Sequence, residues 1–170
     1  MTIRMDNVGI VVDDLTAMID FLTDLGLRLE GRSVVAGAWA GQVTGLGDQH
    51  VEIAMMQTPD GSRIELSRFN RPAVIEDHRG APVNALGYLR VMFEVDDLDD
   101  VLDRAYRHGA VLISDGVVEF ENVYRLCYLR GPENILFGLA QKLPASAKRP
   151  APEPAKADGT VSDLVDDQRG

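Results

Sequence analysis

The stretch "MDNVGIVVDD", Met5 to Asp14, is apolar except for one amide, Asn7, near its entry. A second stretch, "LRVMFEVDDL", repeats the layout and carries Arg90 at the matching place, 83 residues beyond Asn7. The two side chains offer different chemistry. An amide oxygen is a neutral ligand, tolerable for a hard cation and poor for zinc, nickel or iron. A guanidinium stays protonated and has no lone pair to give, but it can hold a carboxylate or steady a developing negative charge. Glu65, in "SRIELSRF", offers a carboxylate of the kind that serves as a general base. Further candidates for contact with a ligand are Trp39 in "AGAWAGQ", His50 and Glu52 in "DQHVEIAMM", Met92, and Arg125 in "VYRLCYLR".

Several other chemistries are not offered. His50 beside Glu52 does not make a metal site. His108 precedes a glycine at a helix end, and His78 lies in the linker "IEDHRGAP". Cys127 reads as a small buried residue with no helix start nearby to lower its pKa. No Ser–His–Asp order is present, and the glycines of "GAWAGQVTGLGDQ" lack the flanking strand and helix of a phosphate loop.

Repeated elements position these residues. Strand alternation sends Asn7, Gly9 and Val11 to one face and Val8, Ile10 and Val12 to the other. Each strand runs into a helix with apolar residues along one face. These are Leu15, Met18, Ile19 and Leu22 in the first, and Leu98, Val101, Leu102 and Ala105 in the second. Asp13/Asp14 and Asp96/Asp97 are placed to cap the two helix starts, and Gly26 and Gly109 to end the helices in a left-handed turn. Strand-like segments follow: "RLEGRSVVAG", "DQHVEIAMM" and "SRIELSRF", then "VLISDGVVEF", "VYRLCYLR" and "ILFGLAQKL". The last two of each set are joined by turns, "TPDG" and "GPEN". Counting across these turns places His50, Glu52 and Ala54 on the face of Glu65, and Arg125 and Cys127 on the face of Gly138.

Each half is therefore strand, helix, strand, strand, strand: residues 1–69 and 86–143, with a linker at 70–85. One half alone leaves a sheet face uncovered, so an α+β domain is expected, with tandem βαβββ modules forming a curved mixed sheet around a central cup. Residues 144–170, rich in Ala, Pro and charge, are expected to be a disordered tail.

Composition narrows the function. The hydrophobic share of 45% suits a globular protein, and no apolar run approaches the roughly 20 residues of a membrane helix. The N-terminus lacks the apolar stretch of a secretory signal, so a cytoplasmic protein is expected. A net charge of -10 argues against nucleic-acid and membrane partners. The single cysteine excludes an intrachain disulfide and a cysteine-cluster metal site.

The motifs "MDNVGIVVDDL", "TPDGSRIEL", "LRVMFEVDDL" and "YLRGPENILFGL" resemble the vicinal oxygen chelate superfamily. It includes glyoxalase I, extradiol dioxygenases, methylmalonyl-CoA epimerase, fosfomycin-resistance enzymes and bleomycin-resistance proteins. The resemblance spans about residues 3 to 143 and implies a homodimer. In metal-dependent members a divalent ion sits in the cup, held by the first and fourth strands of each module. Those places here are Asn7, Glu65, Arg90 and Gly138. Only Glu65 is a good ligand, so no metal cofactor is expected.

Arg90 is instead expected to supply the positive charge, paired with Glu65, in a cup whose ligand contacts include Asn7, His50, Glu52 and Arg125, with Met56, Met92 and Trp39 at its rim. The expected function is metal-free binding of a small organic molecule, as in resistance-type proteins. A metal-free lyase or isomerase with Glu65 and Arg90 as catalytic pair is the enzymatic form of that reading. The alternative is a metal-dependent glyoxalase-type lyase or dioxygenase.

Overall fold

A computed structural model describes residues 4–75, 77–88 and 90–144. The expected disorder of the tail from residue 145 onward lies outside the described residues. The first half comprises β1 (Val8–Val11), α1 (Leu15–Asp24), β2 (Arg28–Gly37), α2 (Ala38–Thr44), β3 (Gln49–Gln57) and β4 (Arg63–Arg71). The second comprises β5 (Arg90–Glu94), α3 (Leu98–Arg107), β6 (Val111–Leu112), β7 (Val118–Phe120), β8 (Tyr124–Arg130) and β9 (Leu136–Lys142). A 3-10 turn, Pro132–Asn134, joins β8 to β9.

The helix ends form as their sequences dictate. Asp14 accepts from the Ala17 amide at 2.9 Å, and Asp97 from the Asp100 amide at 3.1 Å, each capping its helix. Both helices stop in the same paired geometry. Leu27 and Ala110 donate back to the carbonyls of Leu22 and Ala105, and Gly26 and Gly109 donate to Thr23 and Tyr106. That closure requires a left-handed residue, and both glycines supply it, with φ of 112° and 77°.

The α+β class and tandem modules are as expected, but the strands form two mixed sheets rather than one continuous sheet. Their orders are β1-β4-β3-β2 and β5-β9-β8-β6, with β7 pairing on β8. In each sheet the first strand runs parallel to the last, while the other pairs are antiparallel.

One core unites the halves. Met18, Phe21 and Leu22 of α1 cluster with Met56 and Leu66 of the first sheet and with Leu129, Phe137 and Leu139 of the second. Phe21 packs on Phe137 with ring centroids 5.4 Å apart, so the first helix is buried partly against the second sheet. Asp24, ending α1, meets His108, which caps the end of α3, at 2.9 Å.

Candidate functional site

Strand register decides which side chains meet. Met55 pairs with Glu65, Ile53 with Ser67, and Val51 with Phe69. Paired residues share a face, so Glu65 looks out with Val51, Ile53 and Met55. His50, Glu52 and Ala54 lie on the opposite face, contrary to the count made from sequence. The loop between β3 and β4 holds five residues, Thr58–Ser62, closed by a 2.9 Å bond from the Thr58 amide to the Ser62 carbonyl. An odd loop turns the whole strand over.

The same slip occurs in the second half. Gly131 donates to the Ile135 carbonyl at 2.9 Å, closing a second five-residue loop. Tyr128, not Arg125 or Cys127, therefore shares the face of Gly138. Met56, expected at the rim, is fully buried, and Met55 takes the place beside Glu65.

The displaced residues have structural partners. A register shift between His50 and Val51 lets the Asn70 amide reach the Glu52 carboxylate at 2.7 Å and lie 3.1 Å from the His50 ring. Glu52 also faces Arg68 at 3.7 Å. Arg125 grips Asp99 of α3 with two 2.8 Å bonds, and its hydrogen bonding holds that carboxyl below the usual range. Burial pushes the Cys127 thiol up to about 11, which suits a core residue and not a nucleophile.

At the four places that the resemblance marks for metal ligands, the side chains point elsewhere. The Asn7 amide donates to Asp6 at 3.1 Å. Glu65, cross-strand from Gly9, accepts from the Ser67 hydroxyl at 3.1 Å. The Arg90 guanidinium lies 4.4 Å over the ring of Tyr128, a cation–π contact. A Cβ at Gly138 would stand 3.2 Å from the Met92 side chain and 3.3 Å from the Tyr128 ring. The expected Glu65–Arg90 ion pair does not form, because the guanidinium is turned onto Tyr128. No group of three His, Cys, Asp or Glu among the described residues is placed to hold a metal.

Two cavities among the described residues bear on these side chains. The larger, about 450 Å³, lies where the edge strands β1 and β5 meet the linker. Its apolar wall includes Val8, Ile10, Val74, Ile75, Tyr88 and Leu136, and Arg79, Arg90 and Arg130 line it. Arg79 is committed to Asp13 at 3.0 Å, Asp77 at 2.7 Å and Glu133 at 2.8 Å. Arg130 donates to the backbone carbonyls of Arg79, Ala81 and Asn134, fastening the linker to the β8–β9 turn. Arg90 is the one guanidinium here with neither an acidic partner nor a hydrogen bond to a carbonyl among the described residues; its contact is the Tyr128 ring.

The smaller cavity, about 280 Å³, lies between α2 and the exposed face of the first sheet. Glu65 and Trp39 line it with Gln49, Val51, Ile53, Ser67 and Phe69. Sequence reasoning missed α2, Gln49, Ser67 and Tyr128. Gly61 in "TPDGS", at φ 93°, was the available signal, since a left-handed residue late in a hairpin loop marks a loop longer than a tight turn.

The sequence profile of the Glyoxalase/Bleomycin resistance protein/Dioxygenase superfamily matches residues 4–137. A comparison with curated proteins gives no significant match. Among solved structures, a glyoxalase family protein from Bacillus cereus is 62% identical, with a TM-score of 0.82 over 85% of this chain and 97% of that one. A glyoxylase/bleomycin resistance protein/dioxygenase domain from a Frankia species shares the fold at 16% identity. Its TM-score is 0.61 over 86% of this chain and 96% of that one. The fosfomycin resistance protein FosX from Listeria monocytogenes, complexed with manganese(II), shares it at 14% identity. Its TM-score is 0.51 over 83% of this chain and 93% of that one. By profile and by likeness, the chain belongs to the glyoxalase/bleomycin resistance/dioxygenase superfamily.

Proposed function

We propose that this protein binds a small organic anion with an apolar body in the cavity between β1, β5 and the linker, using Arg90 in place of a metal. One observation carries the reading: Arg90 is held against Tyr128 with its charge unmatched, at the wall of a mainly apolar cavity. A preorganised guanidinium loses little freedom on gripping a carboxylate, and surrounding apolar side chains strengthen the contact by excluding water.

The residues do not fit a divalent ion. Arginine cannot ligate, Gly138 has no donor and is closed over by Met92 and Tyr128, and one carboxylate with one amide is a poor set beside a fixed cation. A lyase or isomerase would need Glu65 and its stabilising cation at one substrate. Glu65 and Arg90 line different cavities, which favours binding over turnover.

The test is calorimetric titration with a panel of aromatic and branched aliphatic carboxylates. Arg90→Ala is expected to weaken the best binder by about 10- to 100-fold, the worth of a hydrogen bond to a charged group. Arg90→Lys should keep part of the affinity. Equal affinity in Arg90→Ala, or binding that requires one metal ion per chain, would reject the reading.

A further inference from the structure

The linker ends in an arm, residues 82–88, that is anchored on both sides. Before it, Arg130 donates to the carbonyls of Arg79 and Ala81, Asn134 donates to that of Arg79, and Arg79 holds its three carboxylates. After it, β5 fixes the chain from Arg90, which pairs with Leu136 of β9. Among the described residues, the one hydrogen bond made by the arm is its own turn, from the Ala85 amide to the Pro82 carbonyl at 3.0 Å.

The arm carries three exposed apolar side chains, Val83, Leu86 and Tyr88. Left in water they gain nothing from the fold, and a segment held by so few contacts moves at little cost. Tyr88 is the informative one. It is wholly exposed, yet it lines the Arg90 cavity and stands two residues before Arg90 itself. The ring borders the cavity without being covered by it, so it is buried only when something fills the space. Charge says what that is. Arg90 presents an unmatched guanidinium at the same wall, and an anion held there brings its apolar body within the walls that Tyr88 completes.

We infer that residues 82–88 close over the ligand of the Arg90 cavity, and that the Tyr88 ring selects a flat aromatic body over a saturated one. This inference rests on the reading of that cavity as an anion site. Aromatic rings attract one another by face and edge beyond the area they bury, and a saturated ring offers no such contact.

The probes are phenylacetate and cyclohexylacetate, titrated calorimetrically into the unaltered protein. They share carbon count and charge, and the saturated ring is the more hydrophobic, so burial alone favours cyclohexylacetate. Phenylacetate is expected to bind about three- to tenfold tighter, the worth of an aromatic pair. Tyr88→Phe should keep that preference and Tyr88→Ala should abolish it. Tyr88 is exposed, so neither substitution threatens the fold. Closure has its own readout: in Tyr88→Trp, saturating phenylacetate should shift to the blue the emission that the variant adds to that of Trp39. The inference is overturned if phenylacetate does not bind the tighter, if its preference survives Tyr88→Ala, or if the added emission does not shift. Binding through Arg90 can stand in each of those cases, because the loss of affinity in Arg90→Ala is measured separately. Failure of the whole carboxylate panel rejects both readings.

Discussion

A methyl group at Gly138 would press on Met92 at 3.2 Å and on Tyr128 at 3.3 Å, closer than such contacts normally sit. Gly138→Ala should therefore cost about 1–3 kcal/mol of stability as the neighbours shift, read from urea denaturation. Removing the Met92 side chain opens room into which the new methyl can shift away from the Tyr128 ring, so the cost should shrink in a Met92→Ala background. Additive effects of the two substitutions would remove the steric explanation. The same contacts show why Glu at Gly138 would not simply restore a ligand place: the room is already taken. The sequence made the types of Asn7, Arg90 and Gly138 legible, and with them the scarcity of donor side chains at those places. It did not reveal where Arg90 points, because that depends on Tyr128, whose facing turns on a single residue of loop length.

Among the elements, α1 and α3 were the most legible, because caps, apolar faces and glycine stops are local signals that agree with one another. Their ends meet through Asp24. Hydrogen bonding to His108, with help from the charges of His108, Arg107 and Arg104, holds the Asp24 carboxyl below its ordinary value of 3.8. A folded-state pKa below the unfolded one adds stability that is present above the unfolded value and lost as pH falls through the folded one. The α1–α3 contact should thus weaken below about pH 4, where unfolded aspartate begins to take up protons. Asp24→Asn is expected to flatten this acid limb in a plot of melting temperature against pH. An unchanged acid limb would show that the contact does not contribute. The helix α2 was illegible for the opposite reason. Its seven residues include Gly41 and are bounded by Gly37 and Gly45, so its local signals read as loop. Tertiary packing forms it: Ala40 is 2% exposed, and Gly41 lies against the Gly47 carbonyl so closely that a Cβ would overlap it.

At the scale of the molecule, the sequence repeat suggests two similar units, whereas the core makes them one. Phe21 of the first half sits on Phe137 of the second, and the Arg104 guanidinium of α3 donates to the Asp24 carbonyl ending α1 at 3.3 Å. A half without the other would expose the sheet and helix surfaces that these contacts bury. Folding should therefore be a single transition, and the chain carries one reporter in each half to check it. Trp39 stands on the first sheet, and Cys127, the only cysteine, is 3% exposed in the second, with a thiol that burial keeps protonated. In urea the loss of native Trp39 emission and the onset of Cys127 labelling by a thiol reagent should share one midpoint. Phe21→Ala, which empties a fully buried ring site between the halves, should cost about 3–5 kcal/mol and move both midpoints together. If it moved the Trp39 transition and left Cys127 protected, the halves would be separate folding units, and the cavity between β1 and β5 would be a joint between domains rather than a fixed wall.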